Sequence, residues 1–279
     1  MNTFVKLLTS DRTAAGSVGF LAILVAVAVF APLLAPYAPD SQDLASAKVP
    51  PCRAHLFGTD FQGSDVLSKM IYGSRQAVLI TMGVGVVTVC FGFIIGLVAG
   101  YGGGWLDAGL MRAVDVVLAF PSLLLNIVLF AALGPGFGSL FLALTLSGWA
   151  PVARVTRALV LSLANAPYVT GARALGATAR RIVVCHIVPG CMSTITVVFA
   201  MRAASALLAV SALNYLGLGD PRDTNAWGTM VNLGQFDIVT AWWWPLFPAS
   251  AIALTVMAVN LLADALRDHL DPRMKVRAE

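Results

Sequence analysis

Charge is what this sequence has least of. Of its 279 residues only 11% are Asp, Glu, Lys or Arg, while 58% are hydrophobic. A soluble domain is about 25% charged and about 45–50% apolar, so this chain has too few polar groups to cover a water-facing surface. Disordered chains, which are low in hydrophobicity and high in net charge, are excluded by the same numbers. Histidine is scarce as well, with His55, His186 and His269 the three present. The four cysteines, Cys52, Cys90, Cys185 and Cys191, form no C-x-x-C pair, so no metal-ligand spacing exists. No lysine follows a glycine, which removes the phosphate-binding P-loop. There is no H-E-x-x-H, no G-x-S-x-G and no carboxylate pair within an apolar stretch to serve as acid and base. Neither an enzyme nor a resident cofactor or metal is expected. The net charge of +4 is too thinly spread for nucleic-acid binding and reads as membrane topology.

What is present is a series of long uncharged runs. A helix needs about 20 mainly apolar residues to cross a bilayer, and the runs supply six such spans: 14–35, 77–101, 111–133, 139–159, 189–215 and 238–263. Residues 116–152 carry no charge, and Gly134-Pro135-Gly136-Phe137-Gly138 divides them into the third and fourth spans. The sixth opens on Trp242, Trp243 and Trp244, read as an interfacial belt. Lys6 and Arg12 before the first run, with Ala26-Val27-Ala28 inside it, also fit a secretory signal. The run continues to Ala35, longer than a signal's apolar region, which favours a span.

Basic residues orient the spans. With the N-terminus inside, Lys6, Arg12, Arg112, Arg154, Arg157, Arg173, Arg180, Arg181, Arg267, Arg273, Lys275 and Arg277 fall on the inner side. Lys48, Arg53, Lys69, Arg75 and Arg222 fall on the outer side. Both termini are therefore expected in the cytoplasm. Two longer outer segments, 37–75 and 216–237, are long enough to fold over the mouth of a pore. No fixed-period repeat is present.

Four features stand out inside this frame. Gly92, Gly96 and Gly100 form a row at spacing four on one helix face, which lets another helix approach closely. Arg202 is a charge inside the fifth span with no acidic neighbour in sequence. It shares a helix face with Thr194 and Ser205, which can border an aqueous path or, for Arg202, face backbone carbonyls of a neighbouring helix. Asp115 lies three residues after Arg112, a spacing that pairs them on a helix. The fourth feature is the loop between spans four and five. Its run Ala166–Ala177, the basic pair Arg180 and Arg181, and Pro189 read as a helix ended by Gly176, a second short helix and a new span. Such an exposed elbow has to dock on a partner or lie on lipid.

The segment YVTGARALGA at 168–177, followed by HIVPG, resembles the EAA coupling motif of permease subunits of bacterial ABC importers. HLFGTDFQGSDVLSKMIYGSRQA at 55–77, MRAVDVVLAFPSLLL at 111–125, NYLGLGDP at 214–221, AWGTMV at 226–231 and NLLADALRDHLDPRM at 260–274 resemble further signatures of one branch. That branch is the second permease subunit of the dipeptide, oligopeptide and nickel type. The resemblance implies an all-α, six-span permease of the type I importer fold. An N-terminal part, 1–75, holds the tail, first span and outer segment, and a core, 76–279, holds five spans and the coupling loop at 154–189. It also implies a coupling helix over 170–177, made of Thr170, Gly171, Ala172, Arg173, Ala174, Leu175, Gly176 and Ala177, seated in a cytoplasmic ATPase. Thr170 and Gly171 stand where the family has Glu and Ala, which shifts the expected docking surface toward Arg173, Leu175, Arg180 and Arg181. The implied partners are a second homologous permease, two ATPase subunits or domains carrying ATP and Mg, an extracytoplasmic binding protein, and lipid of a bacterial inner membrane. The implied cargo is a di- or oligopeptide, with nickel or a metal chelate such as an opine metallophore as the alternative. From a different class, a self-sufficient secondary transporter or channel would show inverted repeats, matching broken helices or intramembrane carboxylates; a membrane scaffold would leave the outer segments without a pore to cover.

Overall fold

A computed structural model describes residues 12–221 and 223–270. Lys6, Arg222, Arg273, Lys275 and Arg277, which entered the charge count, lie outside the described residues. Apart from one isolated bridge between Thr59 and Asp65, the described residues contain no β-structure. The helices are α1 (Arg12–Val29), α2 (Ala31–Leu34), α3 (Val66–Gly102), α4 (Gly104–Leu118), α5 (Ser122–Leu133), α6 (Phe137–Ala164), α7 (Pro167–Ala174), α8 (Ala179–Ile182), α9 (Val188–Tyr215), α10 (Trp227–Gly234) and α11 (Trp243–Leu270).

Five stretches are long and apolar enough to cross a bilayer by themselves: α1, α3, α6, α8 continued into α9, and α11. Their flanks expose Ile23, Leu79, Ile94, Leu142, Met201 and Leu254, an apolar surface that lipid covers at no cost and water does not. The third span departs from expectation. Residues 111–133 do not form one helix: α4 and α5 meet at an angle of 90°. The cause is Phe120-Pro121. Proline cannot donate the next helical hydrogen bond and drives its neighbour out of helical geometry, and Pro121 itself takes the extended angles φ −57°, ψ 126°.

α3 is the backbone of the bundle. At 1.5 Å per residue its 37 residues span about 55 Å, well beyond the hydrocarbon core, so its first turns stand in the segment that covers one end. It runs parallel to α6, and the row Gly92, Gly96 and Gly100 is where they meet. A Cβ at Gly92 would lie 2.6 Å from Trp149 O, and one at Gly100 would lie 2.9 Å from Val160 Cβ. α9 packs antiparallel against α3 and α11; near its end Asn214 Nδ2 donates to Gln76 Oε1 of α3 at 3.2 Å.

Residues 35–65, 216–221 and 223–242 close the end of the bundle where α3 starts. Asp65 caps α3 by accepting from Ser68 N at 2.8 Å. The Trp cluster is mostly an interior element here. Trp242 is half exposed, whereas Trp243 and Trp244 are 5% and 2% exposed. Trp243 Nε1 donates to Thr59 O at 3.1 Å and Trp244 stacks on Phe61. These rings are covered by the loop folded over them, where an interfacial belt would leave them at a lipid surface. Gly58, at φ +73°, permits the approach, since a Cβ there would lie 2.5 Å from the Trp243 ring.

Candidate functional site

At the opposite end from the cap, α6 runs out and the elbow begins. Pro167 occupies the first turn of α7, where its missing N–H costs nothing. The other end is a Schellman cap: Gly176 N donates to Arg173 O at 3.0 Å and Ala177 N to Ala172 O at 3.1 Å, with Gly176 at φ +84°. The helix expected over 170–177 instead covers Pro167–Ala174, three residues earlier, because Pro167 sets its start and Leu175, Gly176 and Ala177 belong to its cap. Thr178 then caps α8, accepting from Arg181 N.

The elbow is fixed from below and free above. Val169 and Ile182 are buried in one cluster with Val152, Val160, Ile187 and Cys191. Thr170, Gly171, Arg173, Ala174, Leu175, Gly176, Arg180 and Arg181 are exposed, Leu175 to 91%, while Ala172 and Ala177 are partly covered. An exposed apolar side chain among arginines suits a protein groove. A π-helical turn, Val183–Ile187, joins α8 to α9, and its His186 ring stacks on Tyr168 of α7. Elbow and membrane helix therefore form one continuous packed unit.

Two ion pairs bind α4 to α6 near the same end. Arg157 donates from Nε and Nη2 to the two oxygens of Asp107, each at 2.5 Å. Asp115 pairs with Arg154 of α6, not with Arg112 on its own helix. The 90° break lays α4 across α6 and brings that carboxylate to the more distant arginine.

A cavity of about 210 Å³ opens between α3, the α4–α5 break, α6 and α9. Arg202 and Ser205 line it; Thr194, two turns nearer the elbow, does not. Sequence reasoning missed its other polar groups, Thr88, Ser122, Asn126 and Ser147, because each lies singly in an apolar run and the break that gathers them was not foreseen. Ser147 Oγ donates to Asn126 Oδ1 at 2.5 Å. Among the described residues no group of three or more His, Cys, Asp or Glu is placed to hold a metal ion.

A multi-helix membrane core with a packed elbow exposed at one end and a polar cavity inside it defines an integral-membrane transport subunit. The model for "Binding-protein-dependent transport system inner membrane component" matches residues 92–276, and "N-terminal TM domain of oligopeptide transport permease C" matches residues 3–51. The chain is 37% identical over 269 residues to the dipeptide transport system permease protein DppC of Bacillus subtilis, covering 96% of this chain and 84% of that one. It is 35% identical to the oligopeptide transport system permease protein OppC of the same organism, covering 95% and 87%. It is 38% identical to the glutathione transport system permease protein GsiD of Pectobacterium atrosepticum, covering 92% and 85%. The chain belongs to the binding-protein-dependent transport system inner membrane component family, as an ABC transporter permease.

Proposed function

We propose that this chain is one of two permeases of an ATP-driven importer of di- or oligopeptides, with both termini in the cytoplasm. A second, homologous permease completes the path. Two ATPase subunits or domains, where ATP and Mg are bound and hydrolysed, engage the elbows. An extracytoplasmic binding protein delivers cargo to the capped end, and residues 76–279 act as the permease core. The observation that carries the reading is the elbow: a Schellman-capped helix, exposed on one side and packed through Val169 and Ile182 into the bundle, which ties its position to that of the membrane helices. ATP binding pulls on that lever, and the spans repack to alternate access. Such coupling requires that the elbow's contacts differ between the two states.

Peptide cargo draws support from the names of the relatives. The DALRDHLDP ending resembles nickel permeases, but the cavity in this chain is lined by an arginine and by no His, Cys, Asp or Glu, an environment that repels a bare divalent cation. A self-sufficient transporter is disfavoured because the described helices contain one break and no matching second one. Purification of the tagged chain from its native membrane in mild detergent tests the assembly. Recovery of a second permease and two ATPase chains by mass spectrometry is expected; a chain recovered alone overturns the reading.

A further inference from the structure

Of the three arginines on α6 and α9, Arg154 and Arg157 are each held by a carboxylate on α4. Arg202 makes no ion pair and no side-chain hydrogen bond among the described residues. It lies halfway along α9, partly buried, on the wall of the cavity. A guanidinium stays protonated in proteins, and an unpaired charge at membrane depth is costly and marks function by default. The same cavity meets the start of α5 at Ser122. That terminus has no side-chain cap and begins after a proline, so its first N–H groups have no partner within the helix. A helix start and a guanidinium both favour negative charge, and no lining residue is acidic. The wall therefore presents positive potential with no internal counter-charge. At about 210 Å³ the space is smaller than the about 300–1,000 Å³ of a complete small-molecule pocket, so it suits one end of a cargo molecule.

We propose that Arg202, with the α5 N-terminus, receives the terminal carboxylate of the cargo in transit, as the anion-binding half of a site whose remainder comes from the partner permease. The inference rests on the peptide reading above. Arg202 acts by binding cargo and touches no bond that is made or broken.

The test reconstitutes the complete complex with its binding protein in liposomes and measures ATP-driven uptake of trialanine and of its C-terminal amide. Dividing the acid-to-amide rate ratio of the wild type by that of Arg202→Gln cancels the binding protein's own preference. The expected quotient is about ten- to a hundredfold, the loss of a charge-assisted contact, and Arg202→Lys recovers most of it. A quotient near one, with uptake intact or equally reduced for both peptides, overturns the proposal. Where Arg202→Gln does not assemble, the wild-type complex gives the answer: trialanine slows modification of Arg202 by phenylglyoxal and the amide does not, whereas equal modification overturns the proposal. If the wild type imports neither peptide, the peptide reading fails and this inference falls with it.

Discussion

The ammonium of Lys69 on α3 lies 2.5 Å from the carboxylate of Asp60 in the cap, and the two side chains are only 5% and 2% exposed. Asp60 also accepts the N–H groups of Gln62 and Ser64 at 2.8 and 2.9 Å. One buried pair thus folds the loop and fastens it to the start of the longest helix. Lys69→Met leaves the carboxylate buried with its counter-charge gone, a loss of about 3–5 kcal/mol. Combined with Asp60→Asn, the cost is less than the sum of the single changes. Thermal unfolding of the purified complex measures both, and strict additivity would mean that the pair does not hold the cap.

The α3–α6 seam is set by Gly96 as well as its neighbours in the row. Gly96→Ala drives a methyl into Ala153 O and Thr156 and costs about 1–3 kcal/mol as an overpacked interface. Gly109→Ala on α4, where a Cβ meets nothing within 4 Å, is neutral or stabilising by up to about 1 kcal/mol. Equal melting temperatures for the two variants would contradict the seam.

In the elbow two glycines have opposite expectations. Gly176 sits at φ +84°, so Gly176→Ala costs about 1–2 kcal/mol at the cap and lowers ATP-driven uptake while the complex still assembles. Gly171 is helical with open space around it; Gly171→Ala stabilises α7 by about 0.5–1 kcal/mol and preserves uptake. Paired uptake and pull-down assays separate the cases, and uptake unchanged in Gly176→Ala would remove the cap from the coupling path.

Burial pushes the carboxyl of Asp223 above its ordinary value of 3.8; Asp220 and Asp40 add to this, and hydrogen bonds from the backbone of Asn225 and Ala226 oppose it. The folded protein therefore holds that proton more tightly than the unfolded chain. This contribution is fully present below pH 3.8 and is lost as pH rises through the folded pKa. Asp223→Asn, which keeps an acceptor for Asn225 N, is expected to protect the 216–226 loop against hydrogen exchange at pH 7.5, with the advantage shrinking toward pH 4. Faster exchange in the variant at pH 7.5 would contradict the burial argument.

The helical frame was legible because uncharged length is a one-dimensional property: α1, α3, α6, α9 and α11 each contain a stretch of about 20 residues free of charge or nearly so. The elbow was legible from Pro167 and Gly176, whose backbone limits act locally. The 90° break was not, since hydropathy runs unbroken across Phe120-Pro121 and membrane helices tolerate proline. Once that break was missed, the pairing of Asp115 with Arg154, 39 residues away, and the gathering of Asn126 and Ser147 around the Arg202 cavity were out of reach. Trp243 and Trp244 were misread for a related reason: a tryptophan run at a span edge has the same sequence whether lipid or a folded loop covers it.

The most direct measurement of the central claim is peptide uptake into liposomes that hold the purified complex with its binding protein, with and without ATP. Accumulation that requires ATP, the partner permease and the ATPase chains together is the predicted result. Uptake by this chain alone, without ATP, would contradict it.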